Sequence, residues 1–308
     1  KDYYSWSLRI NITNRCRTPL ELFSNVFGGK VVEKYSGQWG LRFVVSLSGP
    51  VASAALSEML PYLKVKRKQA VCGIELMRRC QLTTGRKAGL PDEEKIIRAG
   101  LRYEIKRLNS RYSSKSKKSM ELDEYVGEYC TDQGYFSALY SQLMSLEKMN
   151  KGHQLSYLAG FFDGEGTVSI SHRVSKNTSP NRMEFYERWS IVLVLANNCG
   201  RSIKMFSHWF DGVVTEKDKP GICKFSVTLA CKRAARALEM LLPYLLIKKP
   251  QAELAVIFQK RITDNSFQNS GIPKEERMLR ERMRLEMRAL NGRYNTRSQR
   301  AIENGEYI

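Results

Sequence analysis

Residues 7–13, Ser-Leu-Arg-Ile-Asn-Ile-Thr, alternate polar and apolar side chains, the period of a strand with one covered face. The uncovered face then carries Arg9 and Asn11. Residues 18–27 read as a helix, 29–34 and 42–47 as the strands of a hairpin turning near Ser36-Gly37, and 51–60 as a helix that Pro61 stops. The same succession returns later as strand 191–196, helix 202–210, strands 213–217 and 224–229, and helix 234–242. Between the two runs, residues 113–152 read as a linker. It is rich in serine and lysine, then acidic, then a short amphipathic helix with Phe136, Leu139, Tyr140, Leu143 and Leu146 on one face.

The recurrence is a repeat of sequence as well as of pattern. Trp6–Asn14 matches Trp189–Asn197, Phe23-Ser24 matches Phe206-Ser207, and Glu33-Lys34 matches Glu216-Lys217, all at an offset of 183. After a one-residue deletion the offset is 182: Pro-Tyr-Leu-Lys-Val-Lys from Pro61 pairs with Pro-Tyr-Leu-Leu-Ile-Lys from Pro243, and Leu108 pairs with Leu290. The chain therefore holds two copies of one unit, residues 1–112 and 153–308 around the linker. A duplicated unit implies a pseudo-twofold molecule.

Charge narrows the partners. Lysine plus arginine number 51 against 31 aspartate plus glutamate, a formal charge of +20, and so large an excess favours an anionic partner, nucleic acid first. Apolar stretches such as 237–247 stop short of the roughly 18–20 residues a bilayer needs, which excludes a membrane span. The seven cysteines are odd in number, scattered and never spaced as a CxxC pair, which reads as free, mostly buried thiols in a reducing compartment. His153, His172 and His208 are isolated and take no role.

The segment that carries chemistry precedes the second copy: residues 155–166 read Leu-Ser-Tyr-Leu-Ala-Gly-Phe-Phe-Asp-Gly-Glu-Gly. Ala159, Gly160 and Gly164 are small residues at near-helical spacing that let another helix backbone come close, with Leu158, Phe161 and Phe162 filling the core beside them. Glu165, between glycines at the end of the helix, joins orphan carbonyls such as that of Gly164 at the negative end of the dipole, where a hard divalent cation is stabilised. The plainer reading is a packing helix whose Glu165 is merely solvated. Leu158-Ala159-Gly160-Phe161-Phe162-Asp163-Gly164-Glu165-Gly166 resembles, position for position, the LAGLIDADG motif of homing endonucleases. Strand 167–171 and the later Pro-Tyr-Leu-x-x-Lys block fit the same family.

The resemblance implies an α+β protein of two pseudo-twofold-related domains, each an antiparallel sheet saddle backed by helices. It implies a monomer that binds a long, imperfectly symmetric site in double-stranded DNA and breaks both strands with Mg²⁺ through an acid from each motif helix. Here Glu165 is one such acid. The offset places the other motif upstream of Lys1, so this sequence is either a shortened piece of a two-motif enzyme or one that lost the motif naturally. The lack of an initiator methionine and the intact remainder of the first copy point to the shortened piece. The alternative class is a nucleic-acid-binding relative that no longer cuts, an intron RNA maturase or splicing factor or a ribosome-associated protein. Family habit implies an organellar intron, in chloroplast or mitochondrion, with bacterial or phage cytoplasm as the other settings.

Further residues follow from the resemblance. Lys66 and Lys248 fall where the family has its active-site lysine, able to stabilise charge at the scissile phosphate; both also read as basic surface beside Lys64, Arg67, Lys68 and Lys249. Asn14 and Asn197 resemble a polar position of the family's active site, and fit a cap for the following helix equally well. Asp163 reads as structural. Arg9, Asn11, Lys34, Gln38, Arg42, Ser46, Lys217, Lys219 and Lys224 fall on or beside strands implied to lie in the major groove, the groove wide enough for a two-stranded ribbon. The arginine-rich stretch 277–300, which repeats 98–111, reads as phosphate-contacting or exposed helix.

Overall fold

A computed structural model describes residues 6–36, 40–82, 90–110, 133–144, 150–176, 185–198, 200–219, 222–264 and 271–292. The chain divides into two units, 1–150 and 151–308. Unit 1 runs β1 (Arg9–Asn14), α1 (Thr18–Phe27), β2 (Val31–Ser36), β3 (Gly40–Ser48), α2 (Gly49–Met59), α3 (Arg67–Leu82), α4 (Asp92–Ser110) and the linker helix α5 (Gln133–Met144). Its strands pair antiparallel in the order β1-β3-β2. Unit 2 runs α6 (Lys151–Glu165), β4 (Gly166–Lys176), β5 (Phe185–Asn197), α7 (Gly200–Phe210), β6 (Val213–Lys219), β7 (Ile222–Ala230), α8 (Cys231–Leu241), α9 (Lys249–Asp264) and α10 (Lys274–Gly292). Its sheet, also antiparallel, has the order β4-β5-β7-β6. Both units are α+β.

The repeat extends to single hydrogen bonds. Ser24 Oγ donates to the Gly29 carbonyl at 2.6 Å and Ser207 Oγ, 183 residues on, donates to the Gly212 carbonyl at 2.7 Å, each tying a helix end to the next strand. Gly29 has φ +92°, and a Cβ there would lie 2.8 Å from Leu47 Cδ2, so the chain turns closely over the core at a position only glycine suits. Among the described residues the four-stranded sheet differs from its three-stranded copy by β4, the strand that leaves α6.

That difference shapes the cores. In unit 2, Leu155, Leu158, Ala159 and Phe162 of α6 join Ile191, Leu193 and Leu195 of β5 and Leu238 of α8 in one continuous cluster. Unit 1 divides its buried residues among three smaller clusters. Ile10 and Ile12 are half-buried, whereas their counterparts Leu193 and Leu195 are fully buried in unit 2, where β4 pairs with β5 and residues of α6 join the same cluster. The linker helix α5 packs on unit 1: Tyr135 OH donates to Glu75 Oε1 at 2.9 Å, Tyr140 OH donates to Glu104 Oε1 at 3.0 Å, and Phe136 and Leu139 pack against the cluster of Cys72, Leu76 and Leu101. The Leu143 side chain and Leu146 lie outside the described residues. Of the described thiols only Cys72 is buried, and burial pushes it up to about 11; Cys16, Cys80 and Cys231 are half-buried, against the expectation of mostly buried cysteines.

The arginine stretches are corrected in part. Arg280 and Arg98 are buried, at 5% and 4% exposure. Arg280 Nε lies 2.7 Å and Arg261 Nη2 2.6 Å from the Glu276 carboxylate, which joins α9 to α10. In unit 1 the same triad recurs, with Arg98 Nε 2.9 Å and Arg79 Nη1 2.7 Å from Glu94. Long arginines chosen for charge alone would sit in solvent; these were drawn inward by carboxylates placed to receive them. Burial by itself would raise the Glu276 carboxyl, but the hydrogen bonds from Arg261 and Arg280 outweigh it and hold it below the usual carboxylate range. Its contribution is therefore present above the unfolded value of about 4.3 and is lost as pH falls through the folded value. Glu276→Gln, which leaves two arginines without their shared charge, is expected to cost roughly 3–5 kcal/mol. Denaturant unfolding at pH 7 and pH 3.5 checks both points, since the variant's deficit should shrink at the lower pH.

Candidate active site and nucleic-acid face

The motif helix α6 has two distinct faces. Leu155, Leu158, Ala159 and Phe162 are buried in its own unit, with Phe162 stacked on Phe206 at 6.2 Å between centroids. Ser156, Gly160 and Gly164, four residues apart, form the exposed stripe, and a Cβ built at Gly160 or Gly164 meets nothing within 4 Å. Ala159 therefore belongs to the core, not to the face open to a helix. Glycine and serine at spacing four make one straight ridge, whereas Ala159 is rotated by about 100° from Gly160. A contrasting pair of variants tests this division. Gly166→Ala would put its Cβ 2.1 Å from Phe162 Cδ2 and 2.7 Å from the Phe162 carbonyl, an overpacking expected to cost about 1–3 kcal/mol. Gly160→Ala is expected to leave unfolding unchanged or to stabilise by up to about 1 kcal/mol through helix propensity.

At the end of α6 the side chains take separate tasks. Asp163 is buried, and its carboxylate accepts three consecutive backbone N–H groups: Leu246 at 2.8 Å and Ile247 at 3.2 Å on Oδ2, and Lys248 at 2.8 Å on Oδ1. Those amides lead into α9. The Lys248 ammonium returns to the Asp163 main-chain carbonyl, one of the last-turn carbonyls that a helix leaves without an internal partner. Glu165, the last residue of α6, is exposed. Burial lowers the Lys248 ammonium below the usual lysine value although the Asp163 and Glu165 carboxylates pull it upward. An acid and a partly desolvated lysine thus share one helix end.

The repeated lysine has different surroundings. Lys66 is exposed, and its ammonium donates to Asn109 Oδ1 at 3.0 Å. Asn291, the counterpart of Asn109, instead donates from Nδ2 to the Val168 carbonyl at 2.8 Å and fastens α10 to β4. Asn14 directs its carboxamide oxygen to the Cys16 N–H at 2.8 Å, closing the turn before α1. Asn197 ends β5 opposite Phe225.

Strand register gathers the proposed DNA contacts of unit 1. Arg9 opposes Ser48, Asn11 opposes Ser46 and Lys34 opposes Arg42, and directly opposed residues of antiparallel strands share a face. Arg9, Asn11, Lys34, Arg42 and Ser46 therefore lie together on the face opposite the buried Val45 and Leu47, with Ser46 Oγ donating to Asn11 Oδ1 at 2.8 Å. Gln38 lies outside the described residues. In unit 2, exposed Lys224 opposes Lys217; for Lys217 and Lys219 only the β6 backbone is described. The same face of unit 2 carries Ser169, Ser171, Arg173, Arg188, Thr215 and Thr228, none of which was singled out from sequence. Their signal was present in the alternation along β4 to β7.

No protein-family model matches the sequence. A search of curated proteins likewise finds no match. Solved structures do match. The chain superposes on the LAGLIDADG homing endonuclease I-LtrWI bound to target DNA with a TM-score of 0.58 at 10% identity, covering 91% of this chain and 86% of that one. The LAGLIDADG meganuclease I-AabMI bound to uncleaved DNA gives a TM-score of 0.57 at 12% identity, with coverages of 91% and 88%. I-SmaMI bound to cleaved DNA gives 0.54 at 17% identity, with coverages of 93% and 85%. The chain has the LAGLIDADG homing endonuclease fold. In this chain α6 carries the LAGLIDADG-like residues Leu158–Glu165, and exposed Glu165 ends it.

Among the described residues no group of three or more His, Cys, Asp or Glu side chains comes together to hold a metal ion. The donor set at the end of α6 is one carboxylate, Glu165, with the neighbouring Gly164 carbonyl. Such a set suits Mg²⁺, which keeps several waters and is commonly held by one or two carboxylates together with substrate phosphates. Asp163 does not fit as a ligand, since its carboxylate is occupied by three N–H groups. Among the described residues no helix is long and apolar enough to cross a membrane.

Proposed function

We propose that this protein is a site-specific, metal-dependent DNA endonuclease that acts as a monomer on a long, semi-symmetric duplex site. The observation that carries the reading is the placement of the Lys248 ammonium on the Asp163 carbonyl, in the last turn of the LAGLIDADG-like helix that exposed Glu165 ends, in a strongly basic chain. Glu165, with the Gly164 carbonyl, would hold the divalent cation, which when bound supplies charge neutralisation at the scissile phosphate and an activated water. Lys248, desolvated and fixed, offers a positive charge toward a phosphate oxygen as negative charge grows there. The outer faces of the two sheets provide positioning and base contacts: Arg9, Lys34 and Arg42 in unit 1 and Lys224 in unit 2 supply charge, and hydroxyl and amide groups such as Asn11, Ser46 and Ser171 supply directional hydrogen bonds. An organellar intron in chloroplast or mitochondrion is the proposed setting.

A second reading rests on unit 1. There the repeated lysine, Lys66, is exposed and bonds the Asn109 side chain, whereas Lys248 is partly desolvated at the end of α6, and a site built on Lys248 alone favours a nucleic-acid-binding protein that does not cut. Selecting a duplex from a randomised pool and testing it for Mg²⁺-dependent scission by the full-length protein separates the readings. Selection of RNA over duplex, with no scission, would favour the second.

A further inference from the structure

The geometry points to Asp163 as the positioning residue of this site: it holds Lys248 at both ends, accepting the lysine's amide on its carboxylate and the lysine's ammonium on its main-chain carbonyl, and so fixes that ammonium at the last turn of α6, the helix that Glu165 ends. The inference rests on the endonuclease reading for its consequence, but the clamp itself can be read without cutting.

Three features carry it. Asp163 is buried at 7% exposure, a position where an ionised carboxylate persists only if its lone pairs are satisfied. Both of its oxygens are spent on Leu246, Ile247 and Lys248, three successive amides 83 to 85 residues away in sequence. Those bonds choose where the segment entering α9 sits relative to the end of α6. Such charge-assisted bonds are short and strong, so the segment is pinned and not merely adjacent. The ammonium then closes the second point on the orphan carbonyl of Asp163. A lysine carries four rotatable bonds and would otherwise sample many positions. Held at amide and ammonium by one residue, it has few left. The copy in unit 1 shows the contrast, since Lys66 stands at the matching position of its block, is exposed, and bonds the Asn109 side chain.

Asp163→Asn keeps the size and removes the second acceptor. If its oxygen faces Leu246 and Ile247, an NH₂ group is set against the Lys248 N–H. The test uses the full-length protein with lysine labelled at ¹³Cε, the Lys248 signal being assigned by its loss in Lys248→Arg. In the wild type this signal should stand apart from the exposed lysines, and in Asp163→Asn it should merge with them. Single-turnover scission, in Mg²⁺, of a duplex selected by the protein from a randomised pool should slow by on the order of 10²-fold, the scale expected for a misplaced catalytic group. Affinity for that duplex in EDTA should stay near the wild type. In a Lys248→Ala background the Asp163 change should slow scission no further, because a residue that acts through the lysine has nothing left to position. Should Asp163→Asn not fold, Asp163→Ser, which adds no buried NH₂ group, takes its place in both measurements.

An unmoved Lys248 signal overturns the clamp. So does an Asp163 effect that persists undiminished in the Lys248→Ala background, which would mark a general structural role. A Lys248→Ala protein that cuts at the wild-type rate overturns instead the endonuclease role given to the lysine, and with it the clamp's catalytic consequence. The failure of the inference and the failure of the reading beneath it are thereby told apart.

Discussion

Glu165→Gln should bind the selected duplex nearly as tightly as the wild type and lose scission of at least one strand by roughly 10³-fold or more, the scale of removing a preorganised charged group from a reacting centre. The amide matches the carboxylate in shape and differs in charge, so binding by the sheet faces has no reason to change. Glu165 is exposed and ends its helix, so the substitution buries no new polar group and should leave unfolding unaffected. The check is a gel-shift isotherm in Ca²⁺ beside a single-turnover time course in Mg²⁺. Parallel loss of affinity and rate would assign Glu165 to binding; undiminished cutting would remove it from the site.

Affinity for duplex should fall steeply with salt. Counterion release gives a log–log slope of roughly −0.9 per phosphate neutralised, so about ten contacts correspond to a slope near −9 and a loss of roughly 10³–10⁵ in affinity between 50 and 200 mM salt. The +20 charge and the outward Arg9, Lys34, Arg42 and Lys224 supply the cations. Lys248→Ala should leave that slope nearly unchanged, because its ammonium is engaged with Asp163. Arg42→Ala should cost about 1–3 kcal/mol on the selected duplex and much less on a scrambled one, if it reads a base edge. Equal losses on both duplexes would move Arg42 to the phosphate backbone. A shallow slope would contradict a phosphate-gripping surface altogether.

Much of this was legible in the sequence because it is periodic. Alternation over residues 7–13 gave β1 and its outward Arg9 and Asn11, and the boundaries of α1 (Thr18–Phe27) coincide with those read from the pattern. Pro61 and Pro243 do end helices, each within a single turn after α2 and α8. What was not legible depended on distance in three dimensions. Nothing local says that the buried partner of Asp163 is a run of amides beginning at Leu246, or that Lys66 and Lys248, alike in their blocks, differ in burial. Arg98 and Arg280 were misread because charge suggests exposure, and only the packing of one helix on the next shows the carboxylate waiting for each. Ala159 was misplaced for a related reason: small size is shared by core and interface positions, and the helical phase set by Ser156, Gly160 and Gly164 decides between them.

The central claim, that the acidic end of the LAGLIDADG helix makes this a metal-dependent nuclease, is tested most directly by plasmid cleavage. A supercoiled plasmid carrying the selected duplex is incubated with full-length protein in Mg²⁺, in EDTA, and with Glu165→Gln in Mg²⁺, at a salt concentration where all three are bound. The account predicts backbone scission at the selected site with wild type in Mg²⁺ alone, and plasmid left intact in EDTA and with at least one strand uncut by the variant. Bound but uncut plasmid in all three lanes, or equal scission in all three, would contradict it.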